Sequence, residues 1–467
     1  MRRSFLAALL ALAIAAPCGA AAPDAHEARA REIFSKLISY KTSAGFGQVP
    51  AMAGYLAQQF RAAGFSESDI HILPVGETAS LVVRYRGDGT GGKPILVMAH
   101  MDVVTAKPED WQRDPFTLIE ENGYFYGRGT YDVKDGVATL TSTFLRLKQE
   151  GFVPTRDLVI LFSGDEETEM ATVQDLVNNH RDLIDAEFAL NSDGGGGNLD
   201  AKGRPLVYSL QTAEKTYASF EVTVRNPGGH SSLPRRDNAI YELADALKRL
   251  QAYRFPTMWN DTTLAYFAAS GKVTPGKLGD AMRDFAANAK DEAAVEFLAD
   301  TPSEVGKTRT TCVPTLLRGG HADNALPQSA TVTVNCRIFP GVAVDAVRQT
   351  LQDVVGDGAQ VATIGKPTAS DASPLRPDVM AAVTKAVHAR HPGVPLVPTQ
   401  ESGATDGLYL RAAGIPTYGV GAMFIKDEDA FAHGLDERVP VQGFYDGLEH
   451  WYVLLKTLAG PGERKAR

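Results

Sequence analysis

Three short runs constrain this chain more than any other feature. Residues 94–99, 157–163 and 186–191 are short apolar runs, built around PILVMA, LVILF and FAL. A strand with one wet face alternates apolar and polar residues. An unbroken run instead belongs to a strand covered on both faces, the kind found in parallel sheets flanked by helices. A further apolar run lies at 80–85. Helical patterns at 27–41, 48–64 and 135–150 alternate with these runs, and two of them stop at a glycine, Gly64 and Gly151. This order predicts an α/β fold with a mostly parallel sheet.

Near residue 214 the pattern changes. Residues 216–225 (TYASFEVTVR) alternate as a half-buried strand. A helix is expected at 237–252, a hairpin from 311–318 and 329–338, a helix at 343–355 and a strand at 358–364. That β-α-β-β-α-β order is the ferredoxin-like split motif. The stretch 255–309 is additional and helical in composition. The α/β texture returns after 368, with helices at 376–390, 404–413 and 441–458 and strands at 395–399 and 416–421. The expected organisation is one α/β domain in two parts, 22–213 and 368–467, interrupted by an inserted antiparallel domain at 214–367. The stretch DGGGGNLD (193–200) reads as a glycine-rich turn.

Residues 1–21 stand apart. Met1-Arg2-Arg3 is basic, an apolar run follows from Phe5 to Ala16, and small residues follow from Pro17 to Ala22. This is the layout of a secretory signal peptide, cleaved near Ala20 or Ala21. The run is shorter than the roughly 20 apolar residues that span a bilayer. The expectation is a secreted or periplasmic protein with no membrane attachment after cleavage. Without Cys18, two cysteines remain, Cys312 and Cys336, on the two arms of the expected hairpin. Opposed positions in antiparallel strands lie ~4.5–5.5 Å apart, within bridging range, and an exported protein can keep a disulfide. A bridge and two free thiols both stay open. The net charge of −9 argues against a nucleic-acid or anionic-membrane partner.

The chemistry sits where the apolar runs stop. In open parallel sheets, ligands bind beyond the carboxyl ends of the strands. After PILVMA come His100 and Asp102; after YFYGRGTY comes Asp132; after LVILFSG come Asp165, Glu166 and Glu167; after FALNS comes Asp193; and FAHGLDE offers His433. Taken singly, such a histidine is more often structural, an aspartate more often a helix cap, and a DEE triplet more often a solvated loop. Together they suit zinc or a similar divalent ion. Five ligands with one shared carboxylate would hold two ions ~3.5–4 Å apart and acidify a water between them. Of two consecutive glutamates, one can face an ion while the other moves a proton. Asp102 could orient the His100 ring by accepting its N–H.

In this order the residues resemble the di-zinc metallopeptidase and amidohydrolase family that includes aminoacylase, glutamate carboxypeptidase, carnosine dipeptidases and succinyl-diaminopimelate desuccinylase. The resemblance rests on MAHMDVV (98–104), YGRGTYDVKDG (126–136), FSGDEE (162–167) and GGHSSLP (228–234), with weaker support from GGHADNALP (319–327) and GATDG (403–407). It implies two divalent ions, zinc first, with cobalt or manganese as alternatives. His100, Asp132 and Asp193 would bind one ion, and Asp132, Glu167 and His433 the other, with Asp132 bridging. Glu166 would be the general base, Asp102 would orient His100, and the peptide bond after Asp132 would be cis. The inserted region would be a lid and homodimerisation domain whose His230 reaches the other subunit's site to stabilise an oxyanion. Asn324 and Arg337 would contact substrate, Arg337 through a carboxylate, with Thr405 and His321 as further pocket residues.

The activity so implied is hydrolysis of a peptide bond beside a free C-terminal carboxylate, by a carboxypeptidase or dipeptidase. The alternative is an N-acyl-amino-acid amidohydrolase, since the same chemistry opens either amide. An aminopeptidase is disfavoured because such enzymes are expected to lack the inserted domain. A peptide-binding protein without catalysis is disfavoured because base, bridge and ligands are all present.

Overall fold

The computed structural model describes residues 25–461, so the expected signal peptide lies outside the described residues. The central sheet has ten strands. Its middle is parallel: Leu158–Ser163, Ile95–His100, Phe188–Asn191 and Thr417–Gly419 lie side by side in that order. Antiparallel strands flank them, with Ile70–Val75 and Thr78–Tyr85 at one edge and Pro205–Glu214 and Gly196–Leu199 towards the other. Leu396–Glu401 and Phe424–Lys426 complete the sheet in parallel pairings.

The unbroken apolar runs are explained by burial on both faces. In Ile95–His100, Ile95, Val97 and Ala99 join a core shared with helices Ala25–Ile38, Val49–Ala62, Lys134–Gln149, Pro377–His388 and Val441–Ala459. The intervening Leu96 and Met98 join a second core on the opposite face, with Val173 and Leu176 of helix Ala171–Asn179. No described helix is long and apolar enough to cross a membrane.

The second sheet has four antiparallel strands in the order Thr311–Gly319, Ser329–Ile338, Thr216–Arg225, Gln360–Ile364. Helices Ala239–Ala252 and Val344–Val355 cover one face. Alternation does its usual work here: Ala218, Phe220, Val222 and Val224 point into that core. The chain order is β-α-β-β-α-β. Residues 255–309 supply four helices, Asp261–Val273, Gly276–Ala287, Glu292–Ala299 and Val305–Thr308, with a small core around Phe267 and Phe285. Cys312 and Cys336 are register partners and form a disulfide, with Cα atoms 4.0 Å apart.

Two readings change. The glycine-rich stretch 193–200 is not only a turn, because Gly196–Leu199 is a strand between Pro205–Glu214 and Phe424–Lys426. A glycine is needed there: a Cβ on Gly197 would stand 2.1 Å from the Phe424 ring. The long strand Pro205–Glu214 carries no strict alternation and was not expected from pattern alone.

Candidate metal centre

The strand ends converge. His100 closes its strand, Glu166 and Glu167 follow Leu158–Ser163, and Asp193 follows Phe188–Asn191. Asp132 comes from the turn before helix Lys134–Gln149, and the Asp132–Val133 peptide bond is cis. His433 arrives on the loop before Arg438–Pro440.

Asp132 stands between two imidazoles, one oxygen towards each. Its Oδ1 is 3.0 Å from His100 Nε2 and its Oδ2 is 3.1 Å from His433 Nε2. His433 Nε2 also lies 3.0 Å from Glu167, and His100 Nε2 lies 4.0 Å from Asp193. Candidate ligand atoms of His100, Asp132 and Glu167 all fall within 4.8 Å of one another, as do those of His100, Glu166 and Asp193. Six of the sequence-selected residues are therefore brought together. A cavity of about 320 Å³ beside them is lined by Tyr131, Asp132, Asp193, Glu401 and Met423 among others.

The electrostatics show whether a cation fits. Burial pushes the Glu166 carboxyl up to about 11, that of Asp193 up to about 8, and that of Glu167 upward. Burial opposes charge on His100, but Asp102 and Asp132 outweigh it and hold the ring well above its ordinary value. The hydrogen bond to Asp132 raises His433 to about 9. Burial also works against the charge on Asp132, yet the two imidazoles bring its carboxyl below the usual range. Four carboxylates crowd two imidazoles, and the excess negative charge favours protonation. A divalent cation would relieve the same excess, and a mixed imidazole–carboxylate donor set suits one.

Neighbours of the cluster position it. Asp102 does more than was expected of it. Its carboxylate accepts the backbone N–H groups of Glu166 and Glu167, each at 3.0 Å, and so fixes the loop carrying both glutamates. His100 Nδ1 bonds the Asp102 main-chain carbonyl at 3.0 Å, with the carboxylate farther off at 3.5 Å. Asp165 accepts the N–H groups of Ala171 and Thr172 at the start of the next helix, which takes it out of the cluster.

The proposed substrate contacts lie elsewhere. Arg337 Nη1 donates to the Ser402 carbonyl at 2.6 Å, and its guanidinium stacks over Tyr217. Thr405 donates its hydroxyl to the buried Glu214, which also pairs with Arg411, so that hydroxyl is already committed. His230 is exposed, on a two-residue ribbon with Ala325, and its Nδ1 bonds the Ser232 hydroxyl. The Asn324 carbonyl accepts the Ser231 N–H in the same ribbon, and His321 is exposed beside it.

Pattern reading missed three buried groups. Glu437 accepts the N–H groups of Gly129, Tyr131 and Asp132 and pairs with Arg128. Asp406, whose carboxyl burial pushes up to about 7, bonds the Ser163 hydroxyl behind the glutamate loop. Lys134 donates to the Tyr40 carbonyl at 2.8 Å. Glu437 and Asp406 lie inside the quoted stretches FAHGLDE and GATDG, which was the only signal available.

Residues 96–457 match the model of peptidase family M20/M25/M40. The chain is 28% identical over 371 residues to the N-fatty-acyl-amino acid synthase/hydrolase PM20D1 of Xenopus tropicalis, covering 78% of this chain and 72% of that one. Among solved structures, the M20 family metallo-carboxypeptidase Sso-CP2 of Sulfolobus solfataricus superposes with a TM-score of 0.68 at 17% identity, over 92% of this chain and 99% of that one. The aminopeptidase PepT of Bacillus cereus does so with a TM-score of 0.62 at 15% identity, over 92% and 98%. Such identities speak to fold alone. The last match still removes one expectation, because an aminopeptidase shares this fold over nearly its whole length and the inserted unit does not separate the classes. A family match over well over half the chain, on a sheet whose strand ends gather this donor set, fixes the kind of protein: the chain belongs to peptidase family M20/M25/M40 and is a metal-dependent peptidase or amidohydrolase of that family.

Proposed function

We propose that the protein is an exported exopeptidase, a carboxypeptidase or dipeptidase, that hydrolyses the peptide bond next to a free C-terminal carboxylate. Export rests on the N-terminal sequence. The observation that carries the chemistry is Asp132 between two imidazoles, with Glu166 beside them on a loop held by its backbone.

His100, Asp132 and Asp193 would hold one divalent ion, and Asp132, Glu167 and His433 the second, with zinc the metal the donor set suits best. When bound, the ions supply Lewis acidity to the scissile carbonyl and make water acidic enough to react near neutral pH. Glu166 takes the proton of the attacking water and returns it to the leaving nitrogen. Burial raises that carboxyl, and the positive charge of the ions would draw it back towards the range in which it accepts a proton near neutral pH. Asp102 keeps Glu166 and Glu167 in register. Arg337, whose guanidinium lies against the Ser402 carbonyl, receives the substrate carboxylate; Asn324, beside the ribbon that carries His230, is a second substrate contact, and Thr405 acts through the buried Glu214 rather than through a free hydroxyl. A homodimer lets His230 of one subunit reach the other's site.

A second reading is hydrolysis of N-acyl amino acids, and the name of the 28%-identical Xenopus relative, an N-fatty-acyl-amino acid synthase/hydrolase, favours it. A panel of dipeptides, N-acyl amino acids and N-blocked peptides with the metal-loaded enzyme separates the two. Glu166→Gln tests the shared mechanism. The rate should fall at least ~10²-fold, the range of a general base, with metal content retained. Unchanged hydrolysis would remove Glu166 from its role.

A further inference from the structure

A second cavity lies in the inserted unit and shares no lining residue with the one beside the metal centre. Its volume is about 770 Å³, within the roughly 300–1,000 Å³ of small-molecule sites. It opens where helix Ala239–Ala252, the start of strand Thr311–Gly319 and the additional 255–309 segment meet. Leu247, Leu250, Phe255, Val334 and Leu351 make its interior apolar. The charged residues of the lining are Lys248, Arg254 and Arg309, all cationic, and no carboxylate lines it, in a chain of net charge −9.

Arg309 is what points to a ligand. It is only 8% exposed. Its guanidinium makes two long bonds to neutral oxygens, to the Phe255 carbonyl and the Thr257 hydroxyl, each 3.3 Å, and Nε has no partner. Arg254, by contrast, is exposed and paired with Glu296 and Asp300. Burial disfavours the Arg309 charge, yet an arginine stays protonated at neutral pH. Glu296 and Asp300 act on Arg309 only from a distance, since both are bonded to Arg254. A buried guanidinium with no carboxylate bonded to it is a costly arrangement, and an anion in the cavity would compensate it.

We propose that this cavity binds a fatty carboxylate, with its head group on Arg309 and its alkyl chain against Leu247, Phe255 and Leu351, at an accessory site separate from the metal centre. An apolar interior alone accepts any hydrophobe. A buried guanidinium at its wall that is bonded to no carboxylate adds a preference for an anionic head group and can hold a carboxylate through two parallel bonds. The inference does not depend on which amide the enzyme cleaves.

Equilibrium dialysis of the metal-loaded protein against radiolabelled dodecanoate tests it. One dodecanoate per chain is expected, with 1-dodecanol competing at least tenfold more weakly. Arg309→Met should weaken dodecanoate at least about tenfold, the scale of a charge-assisted bond. Ala244→Trp, placed on an exposed position of the lining, should abolish binding. His433→Ala, at the metal centre, should leave it within twofold. Because Arg309→Met could unfold, the contrast between acid and alcohol on the unaltered protein stands as an independent arm. No binding, equal binding of acid and alcohol, or loss of binding in His433→Ala would each overturn the proposal. So would Ala244→Trp that leaves dodecanoate bound, or that only splits a dimer in sedimentation.

Discussion

Replacing Glu437 by glutamine tests how the metal centre is held. Glu437 is fully buried and accepts four bonds. Oε1 takes the N–H groups of Tyr131 at 2.7 Å and Asp132 at 3.1 Å; Oε2 takes the Gly129 N–H at 3.1 Å and the Arg128 guanidinium. Arg128 in turn donates to the carbonyls of His433 and Gly434 at 3.1 and 3.2 Å. One buried ion pair therefore fixes the two segments that carry Asp132 and His433. Glutamine has the same shape but replaces one acceptor by an NH₂ group. Whichever way it turns, two donors face a donor, and Arg128 loses its counter-charge. Two unsatisfied buried donors cost ~1–3 kcal/mol each. Breaking a buried pair from one side costs ~3–5 kcal/mol. These ranges overlap, so denaturant unfolding of Glu437→Gln should show a loss of about 3–5 kcal/mol. Elemental analysis after dialysis should find fewer than two ions per chain. A loss under about 1 kcal/mol with full metal content would refute the reasoning. The double variant with Arg128→Met should lose less than the sum of the singles, because the stranded charge is gone; additivity within ~0.5 kcal/mol would show that the pair is not coupled.

Chelation should abolish activity and lower the melting temperature, since Glu166, Glu167, Asp132 and Asp193 are then left crowded together; full activity in protein shown metal-free by elemental analysis would refute this. Replacing Cys312 and Cys336 by serine opens a loop with a sequence separation of 24, which loop entropy values at roughly 3–4 kcal/mol; unaltered unfolding, or two free thiols in the unreduced native protein, would count against the bridge. Lys215 is 1% exposed at the junction of the two sheets, and burial depresses its amine to about 7. Between pH 7 and about 10.5 the unfolded chain thus binds the proton and the folded one does not, so stability rises with pH across that window. Relative to Lys215→Met, the wild type should gain up to ~1.4 kcal/mol per pH unit there, and parallel stability–pH curves for the two proteins would refute the assignment.

The fold was legible where burial has a period. The run 94–99 announced a strand covered on both faces, and Ile95 and Leu96 do enter opposite cores. The alternation of 216–225 announced a strand with one wet face, and its boundaries agree with the structure. Pro205–Glu214 was not legible. It joins the two sheets and mixes polar residues such as Gln211, which bonds Glu214, and Glu214 itself, whose burial is offset by Thr405 and Arg411, distant in sequence. Gly196–Leu199 was hidden because glycine carries no hydropathic pattern, and its presence is explained only by the Phe424 ring above it.

The candidate site divides in the same way. Residue type and position at strand ends are local properties, so the sequence by itself determined that histidines and carboxylates would crowd one edge of a sheet. Which atoms meet is a long-range matter. Asp132 faces His433 and is held by Glu437, a residue 305 positions away, while His433 meets Glu167 across 266. No periodicity spans such distances; packing of the two parts of the α/β domain against each other sets them. Tertiary structure alone also decided that the Thr405 hydroxyl serves Glu214, that Asp102 holds two glutamate N–H groups, and that Arg309 is buried with its bonds going to neutral oxygens. Each depends on what surrounds a polar group once water has been removed, and that environment exists only in the folded chain.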